Sequence, residues 1–451
     1  MSSDGEVAPI RMDGPGRARA GSSPEWHRLI DRLYALSRTG MVLGLDRIGR
    51  VLGALGRPER AFPSVHIAGS NGKGSTAAFL AAILAQAGKR VGLYTSPHLV
   101  SLTERVQVVS AAGAEAITET ELLSAIDRVE AIAPDFVGLT FFEVLTAAGL
   151  LALARRRVDV GVIEAGLGAR LDATRLVDAQ VSVLTDLSLE HTAILGGTLA
   201  EIAREKGGVI RPGRPLVQAE SPQEAAVVID ALAAESGSTV FRAGRDLGVR
   251  VGPAGRLDLD LGDRVLADVR VSLLGAHQAR NALLAAKAAT LIAPEISDEV
   301  IRTGLATAVW PGRMEIVRRP GHPPVLLDGA QNAHASVALA RALESMPEQF
   351  GGPLHLVFGA LSDKDAGAML SALAPRARTI VLTRPSSPRA RPPEELLAEL
   401  PEARREVAVV IEAVPEAYAL AEGRARADAG WVVVCGSLFL IGDVRERLVE
   451  R

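Results

Sequence analysis

The chain of 451 residues has a single cysteine, Cys435, and only five lysines: Lys73, Lys89, Lys206, Lys287 and Lys364. One thiol excludes an internal disulfide framework and a cysteine-built zinc site, and it fits a reducing, cytoplasmic setting. Apolar runs of about 18 residues or more are missing, so no membrane-spanning helix is expected. Charge of one sign is not in excess either: 50 basic residues face 53 acidic ones. That balance gives no general attraction to nucleic acid or to an anionic membrane, so any polyanion must be bound locally. The opening "MSSDGEVAPIRMDGPGRARAGSS" lacks the apolar segment of a signal peptide, and residues 1–23 are expected to be a disordered extension outside the fold.

What is present is ample core material, 48% hydrophobic residues, in a chain long enough for more than one domain. From Pro24 to Arg60 the apolar residues recur at helical spacing, predicting two amphipathic helices. "SVHIA", "RVGLYTS", "VDVGVIEAG", "AQVSVLTDLS" and "RPLVQAES" read as strands. Helical stretches such as "STAAFLAAILAQAG", "ETELLSAIDRVEAI" and "GTLAEIAREKGGVI" lie between them. This alternation predicts an α/β domain with a mainly parallel sheet. From Gly237 to Leu274 short alternating runs and glycine turns predict a small appended antiparallel sheet. After "WPGR", Trp310 to Arg313, a second alternation begins with "PVLLDGA", "LHLVFGAL", "TIVLTRP" and "WVVVCGS". Two α/β domains are therefore expected, 24–309 and 310–451, hinged at Pro311 and Gly312.

Chemistry concentrates at strand ends. "HIAGSNGKGST", His66 to Thr76, sits at a strand-to-helix turn as a phosphate cradle does. Yet it departs from G-x-x-x-x-G-K-[ST], because Gly74 separates Lys73 from Ser75 and Thr76. Gly69 and Gly72 let the backbone turn and aim N–H groups at phosphate oxygens, the helix start adds positive potential, and Lys73 would sit on the β/γ-phosphates. In a lysine-poor chain, a lysine inside a glycine loop is not surface filler. Ser96 ends the neighbouring strand; its hydroxyl either serves a Ser-Pro turn or reaches a nucleotide-bound metal. Glu164, followed by Gly166, Gly168 and Asp172, ends an apolar strand, where a carboxylate either caps a turn or binds Mg²⁺. His191 follows another strand, and Lys206 lies on the next helix. Loop, Ser96, Glu164 and His191 project from one sheet edge, which a shared metal–phosphate site explains economically.

These stretches together closely resemble the folylpolyglutamate synthase/dihydrofolate synthase family, relatives of the Mur ligases, whose loop has the form [TS]-N-G-K-G-S. Further matches are "TFFEVLTAAGL", "GAHQARNALLAA", "WPGRMEI", "LLDGAQN", "VFGALSDKDAGAML" and "CGSLFLIGDVR", in the family's order from about Trp26 to the C-terminus. The resemblance implies a P-loop-type N-terminal domain, a Rossmann-like C-terminal glutamate-ligase domain, and ATP-dependent addition of L-glutamate to a pteroate or folate through an acyl phosphate. It implies that Gly69, Asn71, Gly72, Lys73, Gly74, Ser75 and Thr76 cradle ATP. Asn281 would lie at adenine, Arg313 at the phosphates and Asp328 at the ribose. Ser75, Ser96, Glu164 and His191 would hold Mg²⁺, as two ions, and Lys206 would be carbamylated. Lys73, Lys206 and Arg313 would carry the catalysis, and Asp172 would face the pterin. The implied partners are small molecules alone, with no nucleic acid or membrane, acting on a monomer. Four positions depart from the family's usual pattern: Gln331 for histidine, Ala333 for proline, Arg175 for asparagine and Glu190 for aspartate. The cation Arg175 near the folate pocket and Gln331 leave open a ligase for some other carboxylate. A nucleotide-binding regulator without catalysis is the remaining alternative.

Overall fold

The computed structural model describes residues 22–37, 44–132 and 138–449. The expected N-terminal extension lies outside these except for Ser22 and Ser23, and Ser22 Oγ already donates a hydrogen bond to Glu119.

Short apolar runs become strands because they are buried on both faces. β1 (Ser64–Ala68), β2 (Val91–Tyr94) and β5 (Val160–Glu164) have every residue buried. With β3 (Val106–Ser110), β4 (Gly113–Ala116), β6 (Ala179–Leu184), β7 (Leu216–Gln218) and β8 (Val240–Arg242) they form one sheet in the order β4-β3-β2-β5-β1-β6-β7-β8. β1 pairs in parallel with both β5 and β6. The β3–β4 hairpin is antiparallel and was not legible as strands; it turns at Gly113 and forms the sheet edge. The boundary of the appended sheet also needs correction. β8, expected to be antiparallel, pairs in parallel with β7 and extends the main sheet. The appended antiparallel sheet is β9 (Gly248–Val251), β10 (Leu257–Asp260) and β11 (Val265–Val269) alone.

A second sheet follows Trp310, in the order β12-β13-β17-β14-β15-β16. Its strands are β12 (Glu315–Val317), β13 (Val325–Leu327), β14 (Leu354–Phe358), β15 (Ala377–Leu382), β16 (Ala408–Val410) and β17 (Trp431–Cys435). Every pairing is parallel except that of β12 with β13.

The helix Lys73–Gln86 is apolar on all sides because it lies between the first sheet and the helices His277–Ile292 and Asp298–Thr307. Each of its buried side chains Phe79, Leu80, Ile83 and Leu84 contributes roughly 1.5–3 kcal/mol by leaving water. The amphipathic N-terminal helices Pro24–Ser37 and Asp46–Ala54 bury Trp26, Leu29, Leu33, Ile48 and Leu52 against the helix Phe141–Arg155. One loop of the first sheet crosses over: Leu99 and Val100, just after β2, pack into the second domain's core with Leu438, Ile441 and Val444. Among the described residues no helix is long and apolar enough to cross a membrane.

This topology sets the site. A chain that leaves β1 and returns at β2, beyond β5, opens a crevice at the strands' carboxyl ends. Gly69 follows β1, Ser96 follows β2, Glu164 closes β5, Asp186 follows β6, and Asp328 follows β13 of the second sheet.

Within β1, His66 is fully buried, with Nε2 2.8 Å from Thr174 Oγ1 and Nδ1 3.4 Å from an Arg211 nitrogen. Burial, helped by the charge of Arg175, brings its pKa from 6.5 down to about 3. The unfolded chain therefore binds this proton first, so His66's contribution to stability is complete above pH 6.5 and is lost as pH falls toward 3. Chemical denaturation of the wild type and His66→Gln is expected to show the wild type losing about 1.4 kcal/mol per pH unit relative to the variant in that window. Parallel pH curves would exclude this role.

Candidate active site

The loop after β1 is fixed before any ligand arrives. The carbonyl of Asp186 accepts the backbone N–H groups of Ser70 (2.7 Å) and Asn71 (3.3 Å). Ser70 Oγ donates to the Ser188 carbonyl and accepts the Ser188 N–H, both at 3.0 Å. Gly72, with φ +89°, turns the chain into the helix that starts at Lys73, and a Cβ there would stand 2.4 Å from Asn281 Oδ1. Gly72, Lys73, Gly74 and Ser75 at this helix start line the cavity, and a helix N-terminus suits an anion.

Two ammonium groups meet on one acceptor. Lys73 Nζ and Lys206 Nζ each donate to the Gly69 carbonyl at 2.9 Å, and Lys73 also donates to the Ser70 carbonyl at 3.2 Å. Lys206 is buried and forms an ion pair with Glu190 at 2.8 Å; its burial lowers its pKa to about 8, and Glu190 offsets only part of this. Its sequence neighbour Glu205 pairs with Arg170 instead. Glu164, at the end of β5, accepts the Ser96 N–H on Oε2 at 3.1 Å. Burial raises its pKa against the opposing pull of Lys73 and Arg313. His191 is exposed at the cavity rim, yet the protein around its ring brings its pKa to about 4, with Glu190 opposing and Lys364 assisting. It is therefore neutral near pH 7 and offers a lone pair.

The cavity is lined by Gly69, Asn71, Gly72, Lys73, Gly74, Ser75, Ser96, Glu164, His191, Lys206, Asn281, Arg313 and Asp328. These are all the site residues expected from the sequence except Thr76 and Asp172. Thr76 is not among the lining residues: it is fully buried in the helix and its hydroxyl has no partner. Asp172 is the second. Its Oδ2 accepts the N–H groups of Gly166 and Leu167, and its Oδ1 accepts the N–H and hydroxyl of Thr174. A carboxylate so engaged holds the Gly166–Gly168 loop, two of whose residues, Gly166 and Leu167, line the cavity. Arg175 donates to the Ile210 carbonyl at 3.4 Å and is not among the residues lining this cavity.

Four metal candidates share the cavity wall, but among the described residues no three His, Cys, Asp or Glu side chains converge to hold an ion unaided. Two hydroxyls, one carboxylate and one imidazole form an incomplete, oxygen-rich set. Mg²⁺ tolerates such a set because it keeps waters and takes substrate phosphates as ligands. Glu164 has a further oxygen free of protein hydrogen bonds, as a metal ligand requires.

The second sheet closes the cavity. Asp328 is buried, and its carboxylate accepts N–H groups from Met314 (2.8 Å) and Ala330 (2.9 Å). Asn332 donates to Asn71 Oδ1 at 3.3 Å, joining the loop to the second domain. Sequence reasoning passed over Gln278, which donates to Ser75 Oγ at 3.3 Å and accepts from Asn281 at 2.9 Å. Its spacing of three from Asn281 on one helix face was the available signal. Asp186, an acid after an apolar strand like Glu164, was missed too.

Residues 67–289 match the Mur ligase middle domain, and residues 312–438 match the Mur ligase glutamate ligase domain. A Bacillus subtilis protein named dihydrofolate synthase/folylpolyglutamate synthase is 35% identical over 432 residues, covering 92% of this chain and 97% of its own length. The chain belongs to the folylpolyglutamate synthase/dihydrofolate synthase family. Two longer family relatives, from Haloferax volcanii and Halobacterium salinarum, are 38% and 40% identical and are named probable bifunctional folylpolyglutamate synthase/dihydropteroate synthase. The chain spans about half the length of those two, 50% and 51%. E. coli FolC in complex with DHPP and ADP superposes with a TM-score of 0.84 at 32% identity, covering 94% of this chain and 98% of that one. A bifunctional folylpolyglutamate synthase/dihydrofolate synthase with Mn, AMPPNP and L-glutamate bound gives 0.82 at 33% identity, covering 93% and 98%.

Within this family member, Asp172 tests whether a buried carboxylate serves the loop or a ligand. Asp172→Ala leaves two loop N–H groups and Thr174 without their acceptor, so stability is expected to fall by about 2–4 kcal/mol in urea unfolding. Wild-type stability with impaired folate binding would return Asp172 to the pterin.

Proposed function

We propose that the chain joins L-glutamate to the carboxylate of dihydropteroate or tetrahydrofolate at the expense of ATP. The observation that carries this reading is the convergence of Lys73, Glu164 and Arg313 from two sheets on one cavity whose floor is a helix N-terminus. The bound nucleotide, Mn and L-glutamate named for a relative of the same fold support it. The domain division at Pro311–Gly312 fits a substrate that must enter and then be shielded from water.

The chemistry needs no protein nucleophile. A carboxylate oxygen of the acceptor attacks the γ-phosphorus of ATP, and ADP leaves with the bridging electron pair. The amine of glutamate, deprotonated, then attacks the acyl carbon and expels phosphate, leaving an amide. The residues' task is to position and to neutralise charge. Lys73 has one N–H beyond those held by the Gly69 and Ser70 carbonyls, which would serve the phosphates. Arg313 gives one N–H to the Gly312 carbonyl and keeps the others for the same oxygens. A preorganised donor of this kind contributes about 3 kcal/mol to the transition state. Ser75, Ser96, Glu164 and His191 would hold divalent metal, which draws charge from the phosphate oxygens. Asn281 reads the base from beside Gly72, and Asp328 fixes the second sheet's approach to the ribose. We keep the monomer and the cytoplasm as part of this reading, which the buried, unpaired Cys435 suits.

The direct test offers purified protein ATP, Mg²⁺ and L-glutamate with dihydropteroate or a tetrahydrofolate, and reads the products by mass. A product heavier by one glutamate residue is expected, together with ADP and phosphate. Nucleotide binding with no product from either acceptor would instead favour another carboxylate.

Lys206 decides a second point. Its lowered pKa leaves neutral amine that carbon dioxide can convert to a carbamate, an oxygen ligand for Mg²⁺. The plain ammonium already has two acceptors, Gly69 and Glu190, so the carbamate must outcompete an ion pair. Activity is expected to fall when bicarbonate is removed and to return when it is added, with Lys206→Ala inactive and partly rescued by small carboxylates. Intact-peptide mass showing unmodified lysine in fully active protein would exclude the carbamate.

A further inference from the structure

Gly74 is the loop residue that breaks the usual phosphate-loop spacing, and its backbone does not explain it. It lies inside the helix Lys73–Gln86 and is not among the glycines with positive φ. Glycine is unfavourable in a helix, so a contact must require it. That contact is Trp310. A Cβ on Gly74 would stand 2.7, 2.8 and 2.9 Å from Cζ2, Nε1 and Cε2 of the indole, closer than side chains approach. The indole is seated on the peptide next to Lys73.

Trp310 also belongs to the first domain in every other respect. It packs against that domain's core, and the segment before it is tied down by Ser272 Oγ, which donates to the Leu305 and Ala308 carbonyls. Two residues on, Gly312 belongs to the second domain. Its N–H donates to Glu315 at 2.8 Å, its carbonyl accepts the Gly329 N–H at 2.7 Å, and Glu315 is paired with Arg445. Arg313 fills the space that Gly329 leaves, where a Cβ would stand 1.8 Å from its guanidinium. Pro311, exposed, is the single residue between the two anchors.

We propose that Trp310 is a positioning residue for the phosphate loop, holding the Lys73–Gly74 turn in place from the first-domain side of the crossover while Pro311 serves as the pivot. Gly74 is then the receptor for the indole. The inference rests on the reading of this loop as the nucleotide cradle. A rotation of the second sheet about Pro311 would then leave the indole on Gly74 and the peptide beside Lys73 in place.

The test is a suppression experiment on the full chain. AMPPNP affinity with Mg²⁺ is measured by calorimetry, and thermal midpoints report the fold, for Gly74→Ala, Trp310→Ala, Trp310→Phe and Gly74→Ala/Trp310→Ala. Gly74→Ala is expected to weaken AMPPNP by about tenfold or more through displacement of the loop. Removing the indole should restore most of that loss, so the double variant binds more tightly than Gly74→Ala alone, a coupling that separate structural roles do not produce. Trp310→Phe should lie between wild type and Trp310→Ala. In the wild type AMPPNP should shift tryptophan emission, and the shift should vanish in Trp310→Phe. Wild-type affinity in Gly74→Ala, or a double variant weakened by the sum of the two losses, overturns the proposal. If Gly74→Ala does not fold, Trp310→Ala decides alone, and unchanged AMPPNP affinity overturns it. A wild type that binds no AMPPNP overturns the nucleotide reading itself, an outcome distinct from tight binding with additive variants.

Discussion

The carbonyl oxygen of Gly69 holds two ammonium groups, from Lys73 in the loop and from Lys206 on a helix well over a hundred residues later. Placing two cations on one neutral acceptor is unfavourable unless something nearby is negative. Here Glu190 balances Lys206, and Glu164 faces Lys73 across the cavity. The balance is local, and one cation stays available for a polyanion. The strand ends, the turn at Gly72 and the helix behind it can be read as the scaffold that keeps this arrangement assembled.

The same constraint explains why the two domains touch at the loop. Lys73 works only if the rest of the phosphate site arrives in register with it, and Arg313 and Asp328 come from the second sheet. Contacts on both sides of the cavity carry that register. Leu99 and Val100 extend from the loop after Ser96 into the second core, and Asn332 and His334 reach Asn71. Each contact lies within a few residues of a side chain that lines the cavity. The relative placement of the domains therefore sets the geometry of the site.

Much of this was legible because it is encoded locally. A glycine loop between an apolar strand and an apolar helix, an acid closing a strand, and a second alternation after "WPGR" each depend on neighbours a few residues apart. The β3–β4 hairpin was not legible because β4 is four residues long with none of them buried, and β8 was expected in the wrong sheet. A three-residue strand has too little periodicity to reveal its partner, and pairing with β7 or with β9 is settled by which edge is open. The local partners of Asp172 and Arg175 were not legible for a related reason. Proximity in sequence to Glu164 located them near the site, but it gave no direction for the side chains, and both turn to local carbonyl and N–H groups instead.

The sequence by itself determined the two α/β units, the loop and its lysine, the acid at the end of β5 and the family, because these follow from patterns that survive without knowledge of the fold. Only the tertiary structure decided what each group meets. It paired Lys206 with Glu190 and not with adjacent Glu205, because a buried ammonium needs a partner inside the cavity wall while Glu205 reaches Arg170 outside it. It also gave Gly74 its reason. Nothing within the loop calls for a glycine after Lys73; the requirement comes from an indole more than two hundred residues away, and no local pattern records a contact made only when the chain has folded back upon itself.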